Sequence, residues 1–129
     1  MLVIDASLAL EILLPTPLGA RHGDRVLGEE LHAPHLIDVE FANSLRRMIL
    51  RTGLDKAIAR RALDTMQNLA LQRHEHFDLL PRIWELRDSA SACDATYIAV
   101  AEALRAPLLT CDGKMSRSHG HRANIILIS

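Results

Sequence analysis

The sequence is poor in aromatic residues, cysteine and net charge, and each shortage closes off a class of function. Aromatics make up 3% of the 129 residues: one Trp, one Tyr and two Phe. A platform that stacks successive bases of a single strand needs more of them. Two cysteines, Cys93 and Cys111, supply neither a disulfide framework nor the spacing of a zinc site. No apolar run approaches the roughly 20 residues of a membrane helix. The short apolar run at the N-terminus has no basic segment before it, as a secretory signal would. These absences predict a cytoplasmic protein without a membrane partner. With 15 Lys and Arg against 16 Asp and Glu, the formal net charge is −1, so no global charge steers the chain toward nucleic acid.

What is present is an ordinary globular composition, 49% hydrophobic, in a length that suits one domain over residues 1–129. Repeats, linkers and low-complexity tracts are missing. Residues 1–5 read as a strand and 7–14 as a short helix stopped by Pro15. A second helix is expected at 18–29, a very short strand at 31–34, and a long amphipathic helix at 36–52 ending on Gly53. Then come a helix at 55–70, an edge strand at 71–77, and a helix at 81–88 opened by Pro81. Residues 94–105 read as helix, 107–110 as strand, 113–118 as a short helix and 124–128 as the last strand. Strands alternating with helices predict an α/β fold with a mainly parallel sheet between helical layers. Such sheets take their ligands beyond the carboxyl ends of the strands.

Four acids stand out against that frame. The chain opens MLVIDAS, an apolar strand that runs straight into Asp5. Asp5 either caps the next helix or is a site residue at the edge where parallel sheets bind. Asp112 repeats the pattern after PLLT, although Asp112-Gly113 reads equally well as a turn. Glu40 shares a helix face with Asn43, Ser44, Arg47 and Arg51, opposite Phe41, Leu45 and Met48. That face is either solvated and laced by a Glu–Arg pair or turned to the crevice. Asp94 lies in line with Ile98 and Ala101 on the inward face of its helix. A capping box, Ser91-x-x-Asp94, explains the acid but not that alignment. If the four converge, their like charges repel and raise one another's pKa. One or two divalent ions such as Mg²⁺ or Mn²⁺, which favour carboxylate oxygens, relieve that cost and can activate water against a phosphodiester.

The motifs VIDAS at 3–7, DVEFANSLRR at 38–47, CDATYIAVAEAL at 93–104 and LLTCDGKM at 108–115 together resemble a PIN domain. More narrowly, the chain resembles the VapC-type toxins of toxin–antitoxin pairs. The resemblance covers almost the full length and rests on the order and spacing of four acidic motifs. It implies a three-layer α/β/α sandwich and an endoribonuclease dependent on Mg²⁺ or Mn²⁺. It implies that Asp5, Glu40, Asp94 and Asp112 are the catalytic, metal-holding acids, with Asp5 and Asp94 closest to metal. Ser7, Asn43 and Thr110 are implied as supports of the site. A cognate antitoxin protein and a homodimer follow from the same likeness. Where family members often carry an aromatic before the third acid, this chain has Cys93.

Arg46, Arg47, Arg51, Lys56, Arg60 and Arg61 crowd one stretch. Each reads singly as solvated, while Arg46, Arg47 and Arg51 beside an acidic crevice could hold RNA phosphates. His74-Glu-His76 and His119-Gly-His121 offer too few ligands for zinc and read as surface histidines. Trp84 reads as a core or interface anchor. Cys93 and Cys111 each precede a candidate acid and read as small buried residues beside it; oxidation there is the sharper alternative. Two other functions compete with a nuclease. One is a scaffold whose acids only bind a cation. The other is an aspartate-nucleophile phosphatase, disfavoured because the second acid it needs is here Ser7.

Overall fold

A computed structural model describes all 129 residues, Met1–Ser129. Five strands, β1 (Leu2–Ile4), β2 (Leu31–Pro34), β3 (Leu71–His74), β4 (Leu108–Thr110) and β5 (Ile125–Leu127), form one sheet in the order β3-β2-β1-β4-β5. Every pairing is parallel, with Val3 opposite His32 on one side and Leu108 on the other. The helices are α1 (Ala6–Leu13), α2 (Pro17–Leu27), α3 (Leu36–Thr52), α4 (Lys56–Asn68), α5 (Leu80–Glu85), α6 (Ala92–Leu104) and α7 (Gly113–Ser116). Helices α1 to α4 pack on one another, while α5 packs on α6, which covers β1, β2 and β4. The result is the expected three-layer α/β/α sandwich.

The reasons lie in the sequence. Val3, Ile4, Leu108 and Leu109 are apolar on consecutive positions because central parallel strands are buried on both faces. Gly53 ends α3 with φ +69°, a conformation that costs glycine little. Ser91 caps α6 by accepting the Asp94 N–H at 3.1 Å, half of the anticipated capping box. Phe41, Leu45, Ile98 and Ala101 fill the core from the faces their spacing assigns them.

Some expectations fail. The strand at 71–77 ends at His74, and Phe77–Leu79 form a 3-10 turn leading into α5. His74 is not a surface histidine. Its Nε2 lies 2.8 Å from Nδ1 of buried His32, whose Nε2 is 2.7 Å from Glu30 Oε1, and the two rings stack at 5.0 Å. Parallel pairing of β2 and β3 brings residues 42 positions apart together, which no local pattern foretells. Trp84 is 67% exposed and so not a core residue; Arg87 lies over its ring. Cys93 is exposed, since it sits in the first turn of α6 outside the packed face.

Candidate active site

The chain lays down β1, moves outward through β2 and β3, and then crosses back to place β4 on the other side of β1. The strand order therefore reverses between β1 and β4, and a crevice opens at their carboxyl ends. Asp5 follows β1 directly and Asp112 follows β4 after one residue. Both aspartates cap helices: Asp5 Oδ1 accepts the Leu8 N–H at 3.0 Å, and Asp112 Oδ1 accepts that of Lys114 at 2.9 Å. Capping and site placement are thus the same fact, because the cap fixes where each carboxylate points.

A pocket of about 560 Å³ opens there. Asp5, Glu40, Asp94 and Asp112 all line it, with Ser7, Asn43, Ser44, Arg47, Arg51 and Tyr97. Arg46 does not, since one residue along a helix turns the side chain by about 100°. Glu40 makes no pair with an arginine of its own helix; Arg47 donates to Ser44 instead.

Two hydroxyls lock Asp5, which is 3% exposed. Ser7 Oγ donates to Oδ1 at 2.8 Å and Thr110 Oγ1 to Oδ2 at 2.5 Å. The same hydroxyls accept from β4's exit: Ser7 from the Cys111 N–H at 3.0 Å, Thr110 from the Asp112 N–H at 2.9 Å. Ser7 and Thr110 therefore tie the position of one aspartate to that of the other. Asn43 only lines the pocket wall.

Charge in the pocket is not balanced. Burial raises the Asp5 carboxyl above its ordinary range, and Asp112 pushes it further, against the hydrogen bonds from Thr110, Leu8 and Ser7. Asp94 is raised too, by burial and then by Asp112 and Asp5, with Lys114 opposing. No ion pair in the chain includes any of the four acids. Oxygen donors that repel one another are what a hard divalent cation relieves. Three or more metal-ligating side chains are not gathered closely enough to hold a metal unaided. The donor set therefore fits an ion that keeps several waters, as Mg²⁺ does with one or two carboxylates.

Tyr97 belongs to this site and no pattern singles it out. It is 1% exposed, yet its hydroxyl donates to Glu40 Oε1 at 2.6 Å. Burial and the Glu40 carboxylate push the phenol far above its ordinary value, which keeps it a donor. The available signal is its place three residues after Asp94, a polar tip on a buried face.

A family model described as PIN domain matches residues 2–119. Ribonuclease VapC12 of Mycobacterium tuberculosis (strain ATCC 25618 / H37Rv) is 36% identical over 129 residues, 100% of either chain. Ribonuclease VapC9 of the same strain is 45% identical over 116 residues, 90% of this chain and 89% of the relative. Among solved structures, PAE2754 from Pyrobaculum aerophilum superposes with a TM-score of 0.68 at 24% identity, covering 96% of this chain and 82% of the other. The Mycobacterium tuberculosis sarcin-ricin loop cleaving toxin VapC20 gives 0.65 at 17% identity, over 90% and 93%. These two likenesses carry the fold.

Proposed function

The chain belongs to the PIN-domain family, and on that premise we propose that it is a metal-dependent endoribonuclease, the toxin of a toxin–antitoxin pair. The observation that carries the reading is the convergence of Asp5, Glu40, Asp94 and Asp112 on one pocket at the strand-order reversal, with no cation of the protein paired to them. The relatives of matching length named as ribonucleases support it. The whole chain, 1–129, acts as one PIN-like domain in this reading.

Asp5 and Asp94 would hold Mg²⁺ or Mn²⁺, one ion or two, with Asp112 and Glu40 meeting the ion's waters. Such an ion, when bound, activates water and offsets the charge that gathers on phosphate oxygens during hydrolysis. Ser7 and Thr110 hold the Asp5 carboxylate in one orientation, so no reorganisation is needed when substrate arrives. Arg47 and Arg51, on the pocket wall, receive backbone phosphates and set the register of the strand. Ser7 also tells against the phosphatase alternative: a hydroxyl that donates to Asp5 stands where that chemistry needs a second acid.

In the cell the substrate is RNA and a cognate antitoxin protein restrains the enzyme, which works as a homodimer in the cytoplasm. No helix is long and apolar enough to cross a membrane.

The test is cleavage of a panel of tRNA, rRNA fragments and mRNA with Mg²⁺, with Mn²⁺ and with EDTA, beside Asp5→Asn. Cutting that needs the ion and disappears in the variant is expected. Cutting by both proteins alike means a contaminant. Ion binding without cutting of any RNA leaves the scaffold alternative in its place.

A further inference from the structure

We infer that Tyr97 is a positioning residue for Glu40, fixing that glutamate as the outer carboxylate of the ion site; the inference rests on the reading of the acidic pocket as a metal site. Asp5 is short and is locked by two hydroxyls. Glu40 is longer by one methylene and loses more rotamer freedom when it is ordered. It sits on α3, half-buried, and one protein group donates to it: the hydroxyl of Tyr97, from α6, at 2.6 Å. The two residues are 57 positions apart, so the bond ties one wall of the pocket to another.

The backbone of Ala6 also interacts with the phenol oxygen, while the phenol's proton goes to Glu40. The ring of Tyr97 is enclosed, at 1% exposure, where a phenylalanine would fill the same space. Tyr97 lines the pocket, and its hydroxyl donates to Glu40 Oε1. With Oε1 engaged, Oε2 is the oxygen left to accept from an ion's water or to meet the ion. Tyr97 thus does for Glu40 what Ser7 and Thr110 do for Asp5. Hydrogen-bonded supports of ligating carboxylates typically govern metal affinity by roughly 10- to 100-fold.

The experiment is calorimetric titration of Mn²⁺ into wild type, Tyr97→Phe, Glu40→Gln and the double variant, with the metal-free melting temperature of each. Tyr97→Phe should weaken Mn²⁺ binding by about tenfold with a metal-free melting temperature close to wild type. The double variant should bind no worse than Glu40→Gln, because the phenol acts through that carboxylate. Wild-type affinity in Tyr97→Phe, or losses that multiply in the double variant, overturn the inference. If Tyr97→Phe does not fold, Glu40→Asp decides, since it keeps the charge but falls short of the phenol. A loss matching Glu40→Gln upholds the inference, and wild-type affinity overturns it. A wild type that binds no Mn²⁺ at all refutes the metal-site reading and this inference with it. Binding by wild type and Tyr97→Phe alike refutes this inference only.

Discussion

Asp94 and Glu102 lie on the same helix, two turns apart, and the fold treats them in opposite ways. Glu102 is clamped: Arg82 donates to both carboxylate oxygens at 2.9 Å, and the Arg122 N–H adds a third bond at 2.9 Å. Those bonds, Arg82's first, hold its carboxyl below the ordinary value. Asp94 has two aspartates for neighbours, no ion-pair partner, and a carboxyl raised by burial and by their charge. Asp38, with Arg73 at 2.6 Å, resembles Glu102. A chain able to pair its acids with arginine leaves three of them together unpaired. In the proposed function an ion from outside supplies the countercharge for those three, whereas Arg82 supplies it for Glu102 within the fold.

Exchanging each acid for its amide should break this comparison most sharply. Asp94→Asn is expected to lower RNA cleavage by at least about a hundredfold, since a metal's charge stabilisation amounts to several kcal/mol. It should also raise the melting temperature by roughly 2–5 °C, because a mutual repulsion is removed. The folded pKa of Asp94 lies above its ordinary 3.8, so the ionised group costs stability at neutral pH. That cost fades as pH falls through the folded value toward 3.8, and the variant's advantage should fade with it. Thermal melts from pH 7 to pH 4 in EDTA check this; a destabilised Asp94→Asn would show that the aspartate is structural after all.

Glu102→Gln should do the reverse, with a smaller effect. Losing charge-assisted bonds to Arg82 costs about 1–3 kcal/mol, with cleavage near wild type. Its folded pKa is below the ordinary 4.5, so the stability it adds is complete above 4.5 and is lost as pH falls through the folded value. The gap between variant and wild type should therefore close in acid, which urea unfolding at two pH values measures.

The arginines of α3 sharpen the contrast between charge inside the pocket and charge beside it. Arg47→Ala and Arg51→Ala should each weaken RNA binding roughly three- to tenfold and flatten the salt dependence by about 0.7 for each phosphate left unneutralised. Arg46→Ala, outside the pocket lining, should change either quantity less. Equal effects from all three would mean that the RNA follows the helix surface and does not enter the pocket. Filter binding at several salt concentrations distinguishes the two paths.

The acids are legible because a parallel sheet converts sequence order into place. An apolar strand that ends on aspartate puts the carboxylate at the binding edge wherever the strand sits. Asp5 and Asp112 read both as caps and as candidate site residues because each caps a helix and lines the pocket. Tyr97 is hidden, since a buried tyrosine has the periodicity of a phenylalanine and its partner is distant in sequence. The pairing of His32 with His74 is hidden for the same reason, through strand register. Crowding in the sequence groups the arginines, but a helix separates neighbours, and Arg46 and Arg47 part company on its surface.

The smallest expected effect concerns the two thiols that stand next to site acids. Cys93 is raised by burial and then by Glu40 and Asp94; burial, Asp5 and Glu11 push Cys111 up to about 11. Both are protonated at neutral pH, and the thiolate is the reactive form. Peroxide should therefore leave cleavage unchanged, and Cys93→Ser with Cys111→Ser should behave as wild type. Cys93 is exposed, so access does not limit its labelling. A divalent ion among the acids removes part of the charge that keeps this thiol protonated. Mn²⁺ should then speed alkylation of Cys93 by iodoacetamide in wild type and much less in Asp94→Asn. Labelling that is fast without any ion would mean that the pocket's charge is already balanced in solution, and the contrast between Asp94 and Glu102 would lose its basis.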